Sequence, residues 1–291
     1  MFSICIKEMW ERTGIKRVTS LAIAEGGTIG VGSAQGCIFV SRPDGELLTK
    51  TCTNSSIVSA SAYENILAFL NKEGEVLLFN RYGEELGKLK IDDPEVIGKI
   101  AVGREGFVAC KRKCALFDFN GEIKWIFPTF AGSVRPAYLD GMWVLPEKIL
   151  GYAYIVESES GNAVGRLYIG NSLTDIAVSG KTVVLADSAG VHVFSFSGNK
   201  PKAIASFSTV PVLSVGVGPN GKYVAVASGS RFLIYALNGR SVYRQRSSQG
   251  ISQFREVAWD GNLLAVGGVR FLGVLRTAPV LVLFPAFAST N

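Results

Sequence analysis

Leu213–Tyr243 reads LSVGVGPNGKYVAVASGSRFLIYALNGRSVY, four runs of β-branched, aromatic and small apolar residues separated by a Pro-Asn-Gly turn, a short Ser/Gly loop and an Asn-Gly turn. Strand formers bounded by such turn residues read as consecutive antiparallel hairpins. The same pattern recurs along the chain. Its first turn falls at Gly27, Glu64, Gly106, Gly141, Gly180, Gly221 and Gly261, at spacings of 37, 42, 35, 39, 41 and 40. Six of the seven are glycine, as a tight turn with positive φ requires. A second turn follows in each unit but the last, at Asp44-Gly45, Tyr82-Gly83, Asn120-Gly121, Gly161-Asn162, Ser197-Gly198 and Asn238-Gly239. These dipeptides predict two-residue type I′ hairpins.

Seven four-stranded meanders with a period of about 40 residues match radial repetition about an axis. The expected fold is all-β: a seven-bladed β-propeller of four-stranded antiparallel blades, a single domain over residues 1–291. The chain resembles WD-repeat and PQQ-like propellers in Cys114–Trp125 (CALFDFNGEIKW) and Arg231–Tyr243 (RFLIYALNGRSVY). It departs from the WD pattern. The one Trp-Asp dipeptide, Trp259-Asp260, stands at a first turn rather than at the end of a third strand, and the Gly-His pair is absent. A β-sandwich is the competing architecture. Terminal strands 3–10 and 280–287 are expected to close the ring, and both compete for its outermost place.

The chain is 48% hydrophobic and 19% charged, with a net charge of +6, which excludes a disordered chain and gives a mild preference for acidic partners. The amino terminus carries Lys7 and Glu8 in a short apolar stretch, unlike a signal peptide, so a cytoplasmic location is expected. The most apolar stretch, residues 278–288, is too short to span a membrane and contains Pro279 and Pro285. Few Gln, Met and His residues fit a thermophilic source.

A lone histidine, His192, argues against triads, relays and multi-histidine metal sites, and within its apolar strand it reads as a hydrogen-bonded structural residue. Trp125, Trp143 and Trp259 fall in strands and read as packing between blades. Pairing around Asp44-Gly45 sets Cys37 opposite Cys52, and Cys110 and Cys114 flank a three-residue loop. Either pair is placed to form a disulfide, against the alternative of buried free thiols. No cysteine set has zinc spacing. The resemblance to quinoprotein propellers implies a cofactor site, but the adjacent half-cystines of many such enzymes are missing. No cofactor, metal or catalytic residue is expected.

The remaining signal is cationic. In a propeller the loops between second and third strands, with those between blades, surround one mouth of the central channel. Here the former carry Lys72, Lys111, Arg112, Lys113, Lys148, Arg231 and Arg270, diluted by Glu73, Glu75, Glu147 and Asp187; the latter add Lys16, Arg17 and Arg135 but also Asp92, Asp93 and Glu95. Such a ring suits convergence of Lys and Arg on an anion. The expected function is a non-enzymatic scaffold or adaptor that binds an acidic surface or peptide of another protein. Two alternatives are a nucleic-acid-binding propeller using the same cations and a hydrolase or lyase using channel carboxylates (Asp175, Asp187, Glu256) or a metal.

Overall fold

The structure, a computed structural model, describes residues 2–12, 15, 17–197, 200–246, 254–269 and 271–281. Seven four-stranded antiparallel sheets surround a central channel. Blade 1 is built from strands Val18–Ile23, Ile29–Ser33, Cys37–Ser41 and Leu47–Cys52, ordered from the channel outward. The innermost strands of blades 2 to 7 are Ile57–Tyr63, Lys99–Gly103, Ala137–Leu139, Leu173–Ser179, Ser214–Val217 and Phe254–Asp260.

Blade 7 takes its strands from both ends of the chain. Its third strand, Phe271–Leu281, pairs antiparallel with Phe2–Arg12, which lies outermost. Closure by pairing the two ends ties the ring without a covalent bond. Residues 282–287, the rest of the expected carboxy-terminal strand, lie outside the described residues.

The hydrophobic core is divided. Among the described residues there is one buried cluster in each gap between adjacent blades: Ile38, Phe69 and Phe79 between blades 1 and 2, for example, and Ile29, Val31 and Val274 between blades 7 and 1. This division explains the strand sequences. Second strands such as Ile66–Asn71 and Thr182–Asp187 are covered on both faces and run almost continuously apolar, while outermost strands such as Glu85–Lys90 alternate with solvent. Trp143 is fully buried between blades 3 and 4, and Trp259 packs between blades 6 and 7. Trp125 crosses from blade 3 to donate its indole N–H to the Ser158 carbonyl of blade 4 at 2.8 Å.

All seven first turns contain a residue with positive φ at the position read from the sequence, including Glu64 at 47°. The second turns differ from expectation. Gly45, Gly83, Gly121 and Gly239 have positive φ, but Asp44, Tyr82, Asn120 and Asn238 do not, so these are not type I′ turns. Each is a type I turn closed by glycine, with the Gly45 amide donating to Arg42 carbonyl at 3.0 Å and the Arg42 amide to Glu46 carbonyl at 2.8 Å in blade 1. A β-bulge at Val40/Ser41 then shifts the register by one, which restores the pairing a two-residue turn would have given. Cys37 therefore still faces Cys52, and the two are joined in a disulfide. A second disulfide joins Cys110 to its cross-strand partner Cys114.

Candidate functional site: the basic mouth of the channel

Neighbouring innermost strands splay apart and cannot share a full ladder, so small polar side chains stitch them together. Ser59 Oγ accepts from the Ile100 amide and Ser61 Oγ from the Val102 amide, both at 3.0 Å. Ser214 Oγ accepts from the Val257 amide at 3.2 Å. On the opposite arc Arg135 takes over this role. Its guanidinium donates to Asp175 Oδ2 at 2.6 Å, Val215 carbonyl at 2.6 Å, Ile176 carbonyl at 3.0 Å and Ser214 Oγ at 3.1 Å, linking blades 4, 5 and 6. Burial disfavours its charge, but Asp175 and Glu256 together hold the guanidinium pKa above its ordinary value.

Above this network the channel opens into a funnel of about 700 Å³. Among the described residues its wall carries five cations, Arg17, Lys72, Lys99, Lys148 and Arg255, and one carboxylate, Glu256. Hydroxyls of Ser56, Ser133, Ser172, Thr174 and Ser188 lie between them. Further down, a smaller cavity of about 170 Å³ is lined mainly by aliphatic and small residues of the innermost strands. Burial raises the Glu256 carboxyl pKa, partly offset by Lys99 and Arg135. Lys99 Nζ donates to Val58 carbonyl at 3.0 Å and Lys148 Nζ to Ser133 Oγ at 3.2 Å, so the hydrogen-bond partners of both are neutral groups.

The sequence-derived cations separate into distinct settings. Lys72 and Lys148 line the funnel, whereas Lys111, Arg112, Lys113 and Arg231 do not. Lys113 instead pairs with Asp93 at 2.8 Å and Glu95 at 3.5 Å, and the Arg112 amide donates to Glu95 carbonyl at 2.7 Å, so this triplet braces the loop between blades 2 and 3. Arg270 lies outside the described residues. Lys99 and Arg255 escaped the loop-based reading because they sit at the start of innermost strands. That is the signal that finds them: Arg17, Lys99 and Arg255 each stand at the channel entry of their blade.

The chain is similar to a solved structure, the β-propeller domain of Cps50 (Swd1) from Myceliophteria thermophila, with a TM-score of 0.76 and 13% identity over 94% of this chain and 99% of that one. The shared fold is the β-propeller. No family model matches the sequence, and no curated protein does. At that identity the likeness carries no ligand or partner across.

Two expectations about catalytic groups need revision. One histidine is enough for a Ser-His-Asp line, and the structure forms one: Ser206 Oγ lies 3.0 Å from His192 Nδ1, and His192 Nε2 lies 3.2 Å from Asp187 Oδ2. Register and turn chemistry account for it. Ser206 is the cross-strand partner of His192, and Asp187 caps its turn by accepting from the Ala189 and Gly190 amides at 2.6 Å each. Ser206 itself is exposed on an outermost strand. The three carboxylates, in turn, do not form one cluster: Asp175 and Glu256 both act on Arg135, and Asp187 stands apart. Asp175 is committed to Arg135 and the Val215 amide, and Asp187 to its turn, Asn171 and His192. No group of three His, Cys, Asp or Glu side chains placed to share a metal occurs among the described residues. Nor is any helix among them long and apolar enough to cross a membrane.

Proposed function

We propose that this propeller is a non-enzymatic interaction platform, a scaffold or adaptor, whose basic channel mouth docks an acidic segment of another protein. This reading rests on the excess, among the described residues, of five cations over one carboxylate around a concave opening. Like charges held together favour an anionic partner and speed its encounter.

A protein partner is favoured over nucleic acid by what surrounds the mouth. Phe130, Ile149, Leu150 and Leu213, all on loops of the same face, are exposed large apolar side chains. Apolar anchors beside charge complementarity characterise protein interfaces, whereas nucleic-acid surfaces are more uniformly polar and cationic. A cytoplasmic location belongs to the same proposal. Its two disulfides require either an oxidising compartment or the cytosol of a hyperthermophile.

The test is comparative capture from native lysate, with the intact protein and a Lys72→Glu/Lys148→Glu variant as baits at low and high salt. The expected result is a stoichiometric protein retained by the wild type at low salt and lost both on the variant and at high salt. Identical sets of retained proteins on the two baits contradict the proposal.

A further inference from the structure

The funnel has a geometry that a docking face does not need. It is closed all round, with its cations supplied by blades 1, 2, 3, 4 and 7, and it narrows downward to the smaller cavity. Cations converging from five of the seven blades on one closed opening also suit a compact polyanion.

Among the described residues Arg17, Lys72, Lys99 and Lys148 form no ion pair. Their mutual repulsion in a concavity with low-dielectric walls is relieved most effectively by one multivalent counter-ion. The exposed Ser172 and Ser188 hydroxyls line the same wall as further hydrogen-bonding groups.

We infer that the funnel binds a phosphorylated small molecule carrying several phosphoryl groups, held by Lys72, Lys99, Lys148 and the guanidinium of Arg17, with the Ser172 and Ser188 hydroxyls beside them. Guanidinium suits bidentate capture of phosphoryl oxygens, while the lysines act as mobile point charges. A volume of about 700 Å³ falls within the range of small-ligand sites. This ligand shares cations with the docking reading but does not depend on it.

The experiment is titration calorimetry of the full chain at physiological salt with tripolyphosphate and with inositol hexakisphosphate, using orthophosphate as the monovalent-group control. Saturable one-to-one binding is expected for at least one of the two polyphosphates, with orthophosphate at least tenfold weaker. Lys148→Glu and the milder Lys148→Gln are each expected to weaken binding about tenfold or more, as loss of one charge-assisted contact does. Glu256→Gln, which removes the one carboxylate of the wall among the described residues, is expected to tighten it. The inference is overturned if neither polyphosphate binds, or if reversing Lys111 and Arg112 weakens binding as much as Lys148→Gln does. A labelled oligoglutamate peptide measured in parallel separates the two ideas. Peptide binding without polyphosphate binding overturns this inference and leaves the docking reading standing, and the reverse outcome supports the inference alone.

Discussion

Arg135 Nη2 lies 2.6 Å from Asp175 Oδ2, forty residues further along the chain and one blade further round the ring. Both side chains are largely shielded, at 20% and 7% exposure. The pair therefore acts as a clamp between blades rather than as a surface salt bridge. Asp175→Asn is expected to destabilise the fold by about 3 kcal/mol, because it removes the nearer of the two carboxylates that balance a buried guanidinium. The double replacement Arg135→Met/Asp175→Leu should recover much of that loss. Urea unfolding of Asp175→Asn, of the double variant and of its two component singles, Arg135→Met and Asp175→Leu, measures it; a double variant as unstable as the sum of its singles contradicts the clamp.

The first turns separate conformational from steric demand. Glu64 occupies φ 47°, so Glu64→Gly is expected to be neutral to stabilising, by up to about 1 kcal/mol. Gly106 is different: a Cβ there would collide with the Phe117 carbonyl oxygen, so Gly106→Ala should destabilise strongly. Thermal melts of the two variants should move in opposite directions.

The two disulfides predict a measurable chemistry. Thiol titration of the denatured, unreduced protein should find no more than one thiol among its five cysteines. Reduction should lower stability, and the Cys37–Cys52 link, which spans 15 residues, is expected to contribute about 3 kcal/mol by restricting the unfolded chain. Five titratable thiols in freshly purified protein would contradict it.

Asp187 sets part of the response to acid. Burial opposes its ionisation, but hydrogen bonds from Asn171, the Ala189 amide, His192 and the Gly190 amide outweigh burial and hold its carboxyl below the ordinary range. A depressed folded-state pKa contributes stability that is complete above the unfolded value, about 3.9, and fades as pH falls through the lower folded value. The wild type should exceed Asp187→Asn by on the order of 2 kcal/mol at neutral pH, and the gap should shrink only in strong acid. A gap independent of pH contradicts this.

The architecture was legible because it repeats. Seven turns near a fixed period carry the blade count, and even Glu64, the one non-glycine among them, keeps the backbone conformation of the others. The Cys37–Cys52 register followed from the chain, although by a different route: a type I turn and a β-bulge compensate where a type I′ turn was expected. The site was harder to read. Lys113 looks like Lys148 in the sequence, but only the folded chain places Asp93 and Glu95 beside it. Lys99 and Arg255 hide at the start of strands, where long side chains lean over the channel rim while their backbones belong to the sheet. The Ser206–His192–Asp187 line depends on cross-strand pairing that no spacing announces.

In the proposed function the funnel cations, rather than the basic surface at large, bind the partner. Fluorescence anisotropy of a labelled oligoglutamate peptide tests it most directly, with the wild type, Lys72→Glu/Lys148→Glu and Lys111→Glu/Arg112→Glu compared at equal folded concentration. Salt-sensitive binding to the wild type is expected, with binding lost in the Lys72/Lys148 variant and little change in the Lys111/Arg112 variant. Equal affinity for all three proteins, or a greater loss from the Lys111/Arg112 reversal, would contradict it.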